Sequence, residues 1–195
     1  MNHKLNQAIA LFDAYNQKNP NIFTHEGVDY PQEYFLSLQL HRWVTILSPD
    51  ASEELLLASR AQHIGRWEKP RNTYPMDKVG YLTWRKELSA YHAQKAGEIL
   101  SAIGYDEATI ERVSSIIKKI KIKADSEVQT MENALCLVFL QFQYEAFYPK
   151  HETDKVVEII RKSLLKMDSK GHEQALLLPY SETGLALIQE ALKGL

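Results

Sequence analysis

Apolar residues recur at three- and four-residue spacing through most of this chain, the period of helices that bury one face. Leu5, Ile9, Phe12 and Tyr15 form a first stripe, and Asn19-Pro20 ends it. The stretch IFTHEGVDYP reads as a short extended or turn segment, with an alternation too brief to argue for a sheet. Pro31 opens a second helix carrying Leu36, Leu40, Trp43 and Leu47 on one face, and Ser48-Pro49 stops it. Asp50 and Glu53 have capping-box spacing for a third helix running to about Trp67. That helix is apolar most of the way round, which places it centrally in the core. KPRNTYPMDKVGY is irregular yet rich in Tyr, Met and Val, as in a packed loop bordering a site. A fourth helix aligns Leu88, His92, Ala96 and Ile99, with Gly104 just past its end. Asp106 caps a fifth, with Ile110, Val113, Ile117 and Ile120 in register. Thr130 begins a strongly apolar sixth; a seventh runs from about Thr153 to Met167, with Gly171 closing that region. The last reaches from near Ser181 to Leu192. The expected architecture is one all-α domain over residues 1–195, a single compact bundle of about seven or eight helices.

Composition agrees with a globular domain. The 195 residues, 45% apolar and 25% charged, suffice for one substantial core. A formal net charge of -2 gives no general attraction to nucleic acid or to an anionic membrane, leaving only a local basic patch as a route to either. The first residues lack the apolar core of a signal peptide, and no apolar run is long enough to span a bilayer. The lone Cys136 sits in an apolar stretch and reads as a small buried hydrophobe. The cytoplasm is the expected compartment.

Candidate chemistry centres on RAQHIGRW, residues 60–67. Together with KMDSK at 166–170 it is similar to the paired HIGH and KMSKS signatures of class I aminoacyl-tRNA synthetases. Those signatures require a strand-to-helix junction that presents phosphate to a helix start. Here His63 falls late in a predicted helix, where carbonyls repel phosphate, and no parallel strands are expected. A synthetase is set aside on that ground.

The helix order also resembles HD-domain phosphohydrolases, all-helical enzymes that gather histidines and aspartates around divalent metals. RAQHIGRW occupies the place of their His-Asp-Ile-Gly segment, YHAQKAGEIL that of a later histidine-bearing helix, and MENALCL that of the distal acidic helix. The resemblance implies His63, His92 and Glu132 as metal ligands and catalytic groups, with Zn, Fe or Mn as the ion. Gln62-His63 replaces the His-Asp pair, and a glutamine amide brings no charge to a metal. His41 lies on the helix before. A single histidine on an apolar helix face is also what a hydrogen-bonded core residue looks like.

Longer segments carry a further likeness. PDASEELLLASRAQHIGRWEKPRNTYPMDKVGYLTWRKEL, YHAQKAGEILSAIGYDEATIERV, DSEVQTMENALCLVFLQFQYEAF and DKVVEIIRKSLLKMDSKGHEQALLL resemble the 4202 family of domains of unknown function. The resemblance spans nearly the whole chain, supports the helical fold and brings no reaction with it. Against the family pattern, Asn133 stands where an aspartate is usual, which moves attention to Glu132.

Arg60, Arg66, Trp67, Arg71, Asp77 and Arg85 cluster in sequence around the third helix and its loop. Arginines interleaved with aromatics suit a phosphate-bearing or nucleotide ligand, and equally suit packing of a long loop. The basic run IKKIKIK at 117–123 reads as a solvated helix end, with RNA contact as its functional version. The leading expectation is a small phosphate- or nucleotide-ligand site, in its enzymatic form a degenerate metal-dependent phosphohydrolase. The alternative is a non-catalytic module binding nucleotide, RNA or protein through Arg71, Trp67 and Lys118.

Overall fold

The structure, a computed structural model, describes residues 3–193. Among them are ten α-helices and one two-stranded hairpin. Helix α1 (His3–Asn16) leads into β1 (Ile22–His25) and β2 (Val28–Pro31). The strands pair antiparallel, Ile22 opposite Pro31 and His25 opposite Val28, where the sequence pattern was too short to argue for a sheet. The two-residue turn makes them possible: Glu26 and Gly27 both take positive φ, at 50° and 77°, the hairpin geometry that follows strand twist. Phe23 then stacks on Phe35, ring centroids 4.8 Å apart, and ties the hairpin to the core.

Helix α2 (Gln32–Leu47) packs on α3 (Glu53–Ala61) and on α6 (Ser126–Phe142). Ser52, not Asp50, caps α3, its hydroxyl accepting from Leu55 N at 3.1 Å. The helix ends at Ala61, short of Trp67, because Gly65 adopts φ 67° and the next residues enter a 3-10 turn, Arg66–Glu68. Helix α4 (Lys78–Ala102) lies against α5 (Glu107–Ile117), with Asp77 and Asp106 as their caps. Gly104, at φ 83°, closes α4 as expected. Asp125 caps α6, accepting from the Glu127 and Val128 N–H groups, so α6 begins at Ser126 and not at Thr130. Met131, Ala134, Leu137 and Leu140 on α6 are buried in the core.

The short α7 (Tyr144–Phe147) precedes α8 (Thr153–Lys166), α9 (Ser169–Leu176) and α10 (Glu182–Leu192), with α8 on α10 and α9 on α6. KMDSK does more than end a helix. Asp168 caps α9 by accepting from Gly171 N, so Gly171 lies in the first turn of a helix that periodicity did not reveal. Asn133 locks that turn to α6. Its Oδ1 accepts from Asp168 N (3.1 Å) and Gln129 Nε2 (3.0 Å), and its Nδ2 donates to Asp168 Oδ1 (2.7 Å). A Cβ on Gly171 would lie 2.8 Å from Asn133 Oδ1, so the contact admits only glycine.

Both ends of the Asn133 amide are in use, so a carboxylate there would face Asp168 while buried. Asn133→Asp is expected to lower stability by about 2–4 kcal/mol at neutral pH, read as the midpoint of urea unfolding. An unchanged midpoint would remove Asn133 from this structural role.

Candidate functional site

Gly65 sets up the site. Its left-handed conformation turns the chain after α3, and an added Cβ would meet Tyr91 Cε1 at 3.0 Å, so the turn seats tightly on α4. The turn presents Gln62, His63 and Arg66 to a cavity of about 740 Å³. Trp84, Arg85, Lys86, Leu88 and His92 of α4 form a second wall. The end of α5 and its following loop bring Ile117 to Ile120; α6 brings Glu132, Leu135, Cys136 and Phe139; α8 brings Ser163 and Lys166. A smaller chamber of about 120 Å³ shares His63, Arg66, Leu135 and Gln143 and adds Glu33 from the start of α2.

Charge in the cavity is lopsided. Six cationic side chains, Arg66, Arg85, Lys86, Lys118, Lys119 and Lys166, line it against one carboxylate, Glu132. Glu132 is buried and already neutralised, with Lys119 Nζ at 2.5 Å and Lys166 Nζ at 3.7 Å. Lys119 reaches it from a position that normally wants glycine. It sits at φ 57° just past α5, while Ile120 N donates to Ser115 O and Lys119 N to Ile116 O. A lysine in that left-handed seat costs about 1 kcal/mol, offset by the buried ion pair it makes.

The imidazoles respond to this field. Burial, then Arg66, His92, Lys119 and Arg85, hold His63 well below the usual histidine range. Burial pushes His92 down to about 4, against the opposing pull of its hydrogen bond to Ile64. That bond, 2.6 Å from Nδ1 to the Ile64 carbonyl, requires Nδ1 to be the donor and leaves Nε2 as the lone-pair end. The two rings lie 5.8 Å apart. His63 Nδ1 is 3.8 Å from Glu33 Oε2, and Arg66 Nε is 3.9 Å from Glu33 Oε1. Burial raises the Glu33 carboxyl, with Arg66 and Gln32 working the other way. Burial also drives the Cys136 thiol up to about 12, so it is inert at neutral pH.

Five of the sequence-derived residues therefore meet: His63, His92, Glu132, Arg66 and Arg85 line one cavity. Five do not line it. Arg60 is buried and bonds Asp13. Trp67 packs its ring 5.9 Å from that of Tyr15. Arg71 donates to the backbone carbonyls of Tyr74 and Asp77, and Asp77 caps α4. His41 pairs with Ser59 Oγ at 2.8 Å. Among the described residues no three His, Cys, Asp or Glu side chains are grouped to hold a metal ion. Glu132 in particular faces two ammonium groups, so the residues present do not fit a three-ligand centre. Lys118 and Lys119, expected on a solvated helix end with Lys118 a binding residue only in the alternative reading, both line the cavity. Glu33, Gln62, Lys119 and Lys166 were missed as site residues. Glu33 had a signal: it shares a helical stripe with Leu36 and Leu40, where a charge is out of place. Lys166 had none.

A family model described as Domain of unknown function (DUF4202) matches residues 6–188, and the chain belongs to that family. No curated protein and no solved structure matches it. Among the described residues no helix is long and apolar enough to cross a membrane.

The depressed His92 predicts a pH dependence. An unfolded histidine titrates near 6.5, and in the folded chain His92 titrates near 4. The unfolded chain therefore binds a proton first, and stability present above about 6.5 is lost as pH falls toward 4. The loss from this group is on the order of 3 kcal/mol. Urea unfolding at stepped pH should show that slope in the native chain and a shallower one in His92→Asn. A His92 ring proton that shifts near pH 6.5 by NMR would contradict the assignment.

Proposed function

We propose that this member of the DUF4202 family holds a small phosphate-bearing molecule in the cavity between α4, α6 and α8. One observation carries the reading: six cations and a single neutralised carboxylate converge on a cavity of about 740 Å³, in a chain whose formal net charge is -2. That volume falls within the usual range of small-ligand pockets, roughly 300–1,000 Å³. Arg66 and Arg85 bring planar donor forks suited to phosphate oxygens, and the lysines add point charges. Trp84, Leu88 and Phe139 supply apolar surface for the remainder of the ligand. Uncharged His63 and His92 add hydrogen-bonding capacity without repelling further cations.

A hydrolytic role for the same cavity has one observation in its favour. Two imidazoles held unprotonated by burial and nearby cations face a cationic space, and an unprotonated imidazole can take a proton from water. Release of inorganic phosphate from phosphate monoesters, with and without Zn, Fe or Mn, and its loss in His63→Ala, tests that version.

Binding is tested by calorimetry with inorganic phosphate and a nucleotide panel. Arg66→Ala and Arg85→Ala should each weaken binding about 10- to 100-fold, the worth of one charge-assisted contact. Arg71→Ala, whose guanidinium is held on backbone carbonyls outside the cavity, should leave it unchanged. No binding at millimolar concentration, or equal loss in all three variants, overturns the reading.

A further inference from the structure

Apart from Glu132 Oε2, which faces the Lys119 ammonium, three buried acceptors in this cavity and its side chamber have no hydrogen-bond donor among the described residues: Gln62 Oε1, His92 Nε2 and Glu33 Oε2. The rest of each side chain decides which atom is bare. Gln62 Nε2 donates to the Ile117 carbonyl at 3.1 Å, so its oxygen is the free end. His92 Nδ1 donates to Ile64 O, so Nε2 keeps its lone pair. Glu33 Oε1 accepts from Gln32 at 3.4 Å, leaving Oε2. The three residues are buried, at 4%, 2% and 2% exposed.

All three surround His63. Gln62 precedes it in the chain, the His92 ring lies 5.8 Å away, and Glu33 Oε2 is 3.8 Å from its Nδ1. Buried acceptors are almost always paired in folded proteins, so three bare ones in one neighbourhood call for donors that the chain itself does not supply. A donor arriving from the cavity meets Arg66, Arg85 and Lys119 on the way. Their positive potential disfavours an ammonium or a metal ion, as it disfavours a proton on His63. A hydroxyl group donates without bringing charge, and several acceptors ask for several hydroxyls.

We propose that the ligand is a phosphorylated polyol of the sugar-phosphate class. Its phosphate lies among Arg66, Arg85 and Lys119, and its hydroxyls donate to Gln62 Oε1, His92 Nε2 and Glu33 Oε2. This deepens the phosphate-site reading and rests on it.

Calorimetry on the full chain separates the two. The probes are inorganic phosphate, ethyl phosphate (which has no hydroxyl), a set of glycerol, pentose and hexose phosphates, and the unphosphorylated sugars. At least one sugar phosphate should bind tenfold or more tighter than ethyl phosphate. Glu33→Met and Gln62→Met should cut that preference to about threefold or less. Inorganic phosphate should bind Glu33→Met as tightly as before or tighter, since Arg66 loses its opposing charge. Glu33→Gln serves where the methionine variant fails to fold, and an undiminished melting temperature without ligand verifies folding. Ethyl phosphate equalling every sugar phosphate overturns the polyol assignment and leaves the phosphate site standing. A preference that survives both substitutions overturns it too, as does Zn²⁺ alone raising the melting temperature in a His92-dependent way. Failure of every probe, inorganic phosphate included, takes the phosphate site down as well.

Discussion

A carboxylate in the middle of an apolar helix has to be neutralised, and Glu132 is that carboxylate. It sits among Met131, Cys136 and Leu135 on α6 with 3% exposure, and two lysines from different parts of the chain answer it. Breaking such a pair by removing one partner leaves an uncompensated buried charge, typically a loss of several kcal/mol. The requirement fixes where the α5–α6 loop and the end of α8 approach α6. It also explains why a lysine occupies a left-handed position after α5. The same two lysines become part of the cavity wall, so a demand of the core also shapes the site.

The consequences spread through the positive field. With Arg66 and Arg85 added, cations outnumber carboxylates on the wall, and both histidines are held uncharged. Burial first and these cations second disfavour a protonated imidazole, and the cations disfavour an ammonium or a metal ion as well. The proposed ligand, an anion with neutral donors for the bare acceptors, answers to that field. The site thus follows from electrostatics around α6 and from one glycine turn that swings His63 and Arg66 inward.

Much of the helical layout was visible in the residues. Ser181, Asp106 and Gly104 act at helix ends as local chemistry predicts. Other boundaries moved where a tertiary partner intervened. Helix α3 stops at Ala61 because the Gly65 turn seats on Tyr91 and His92 takes the Ile64 carbonyl. Helix α9 exists because Asn133 braces its first turn from another helix, an interaction with no local trace. The hairpin rests on a positive-φ Glu26, which the sequence does not announce.

For the site, the HD-domain and family resemblances singled out His63, His92 and Glu132, and the run of arginines after the third helix singled out Arg66 and Arg85. The period of hydrophobic burial is a local property, so it can be read along the chain. Which charges meet is not local. Arg60 and Arg66 lie on neighbouring turns, yet one pairs with Asp13 and the other opens onto the cavity. Lys166 reaches Glu132 across 34 positions of chain, because α8 and α6 happen to pack there. Coulomb interactions depend on separation in space and on burial, and only the folded chain sets those two quantities.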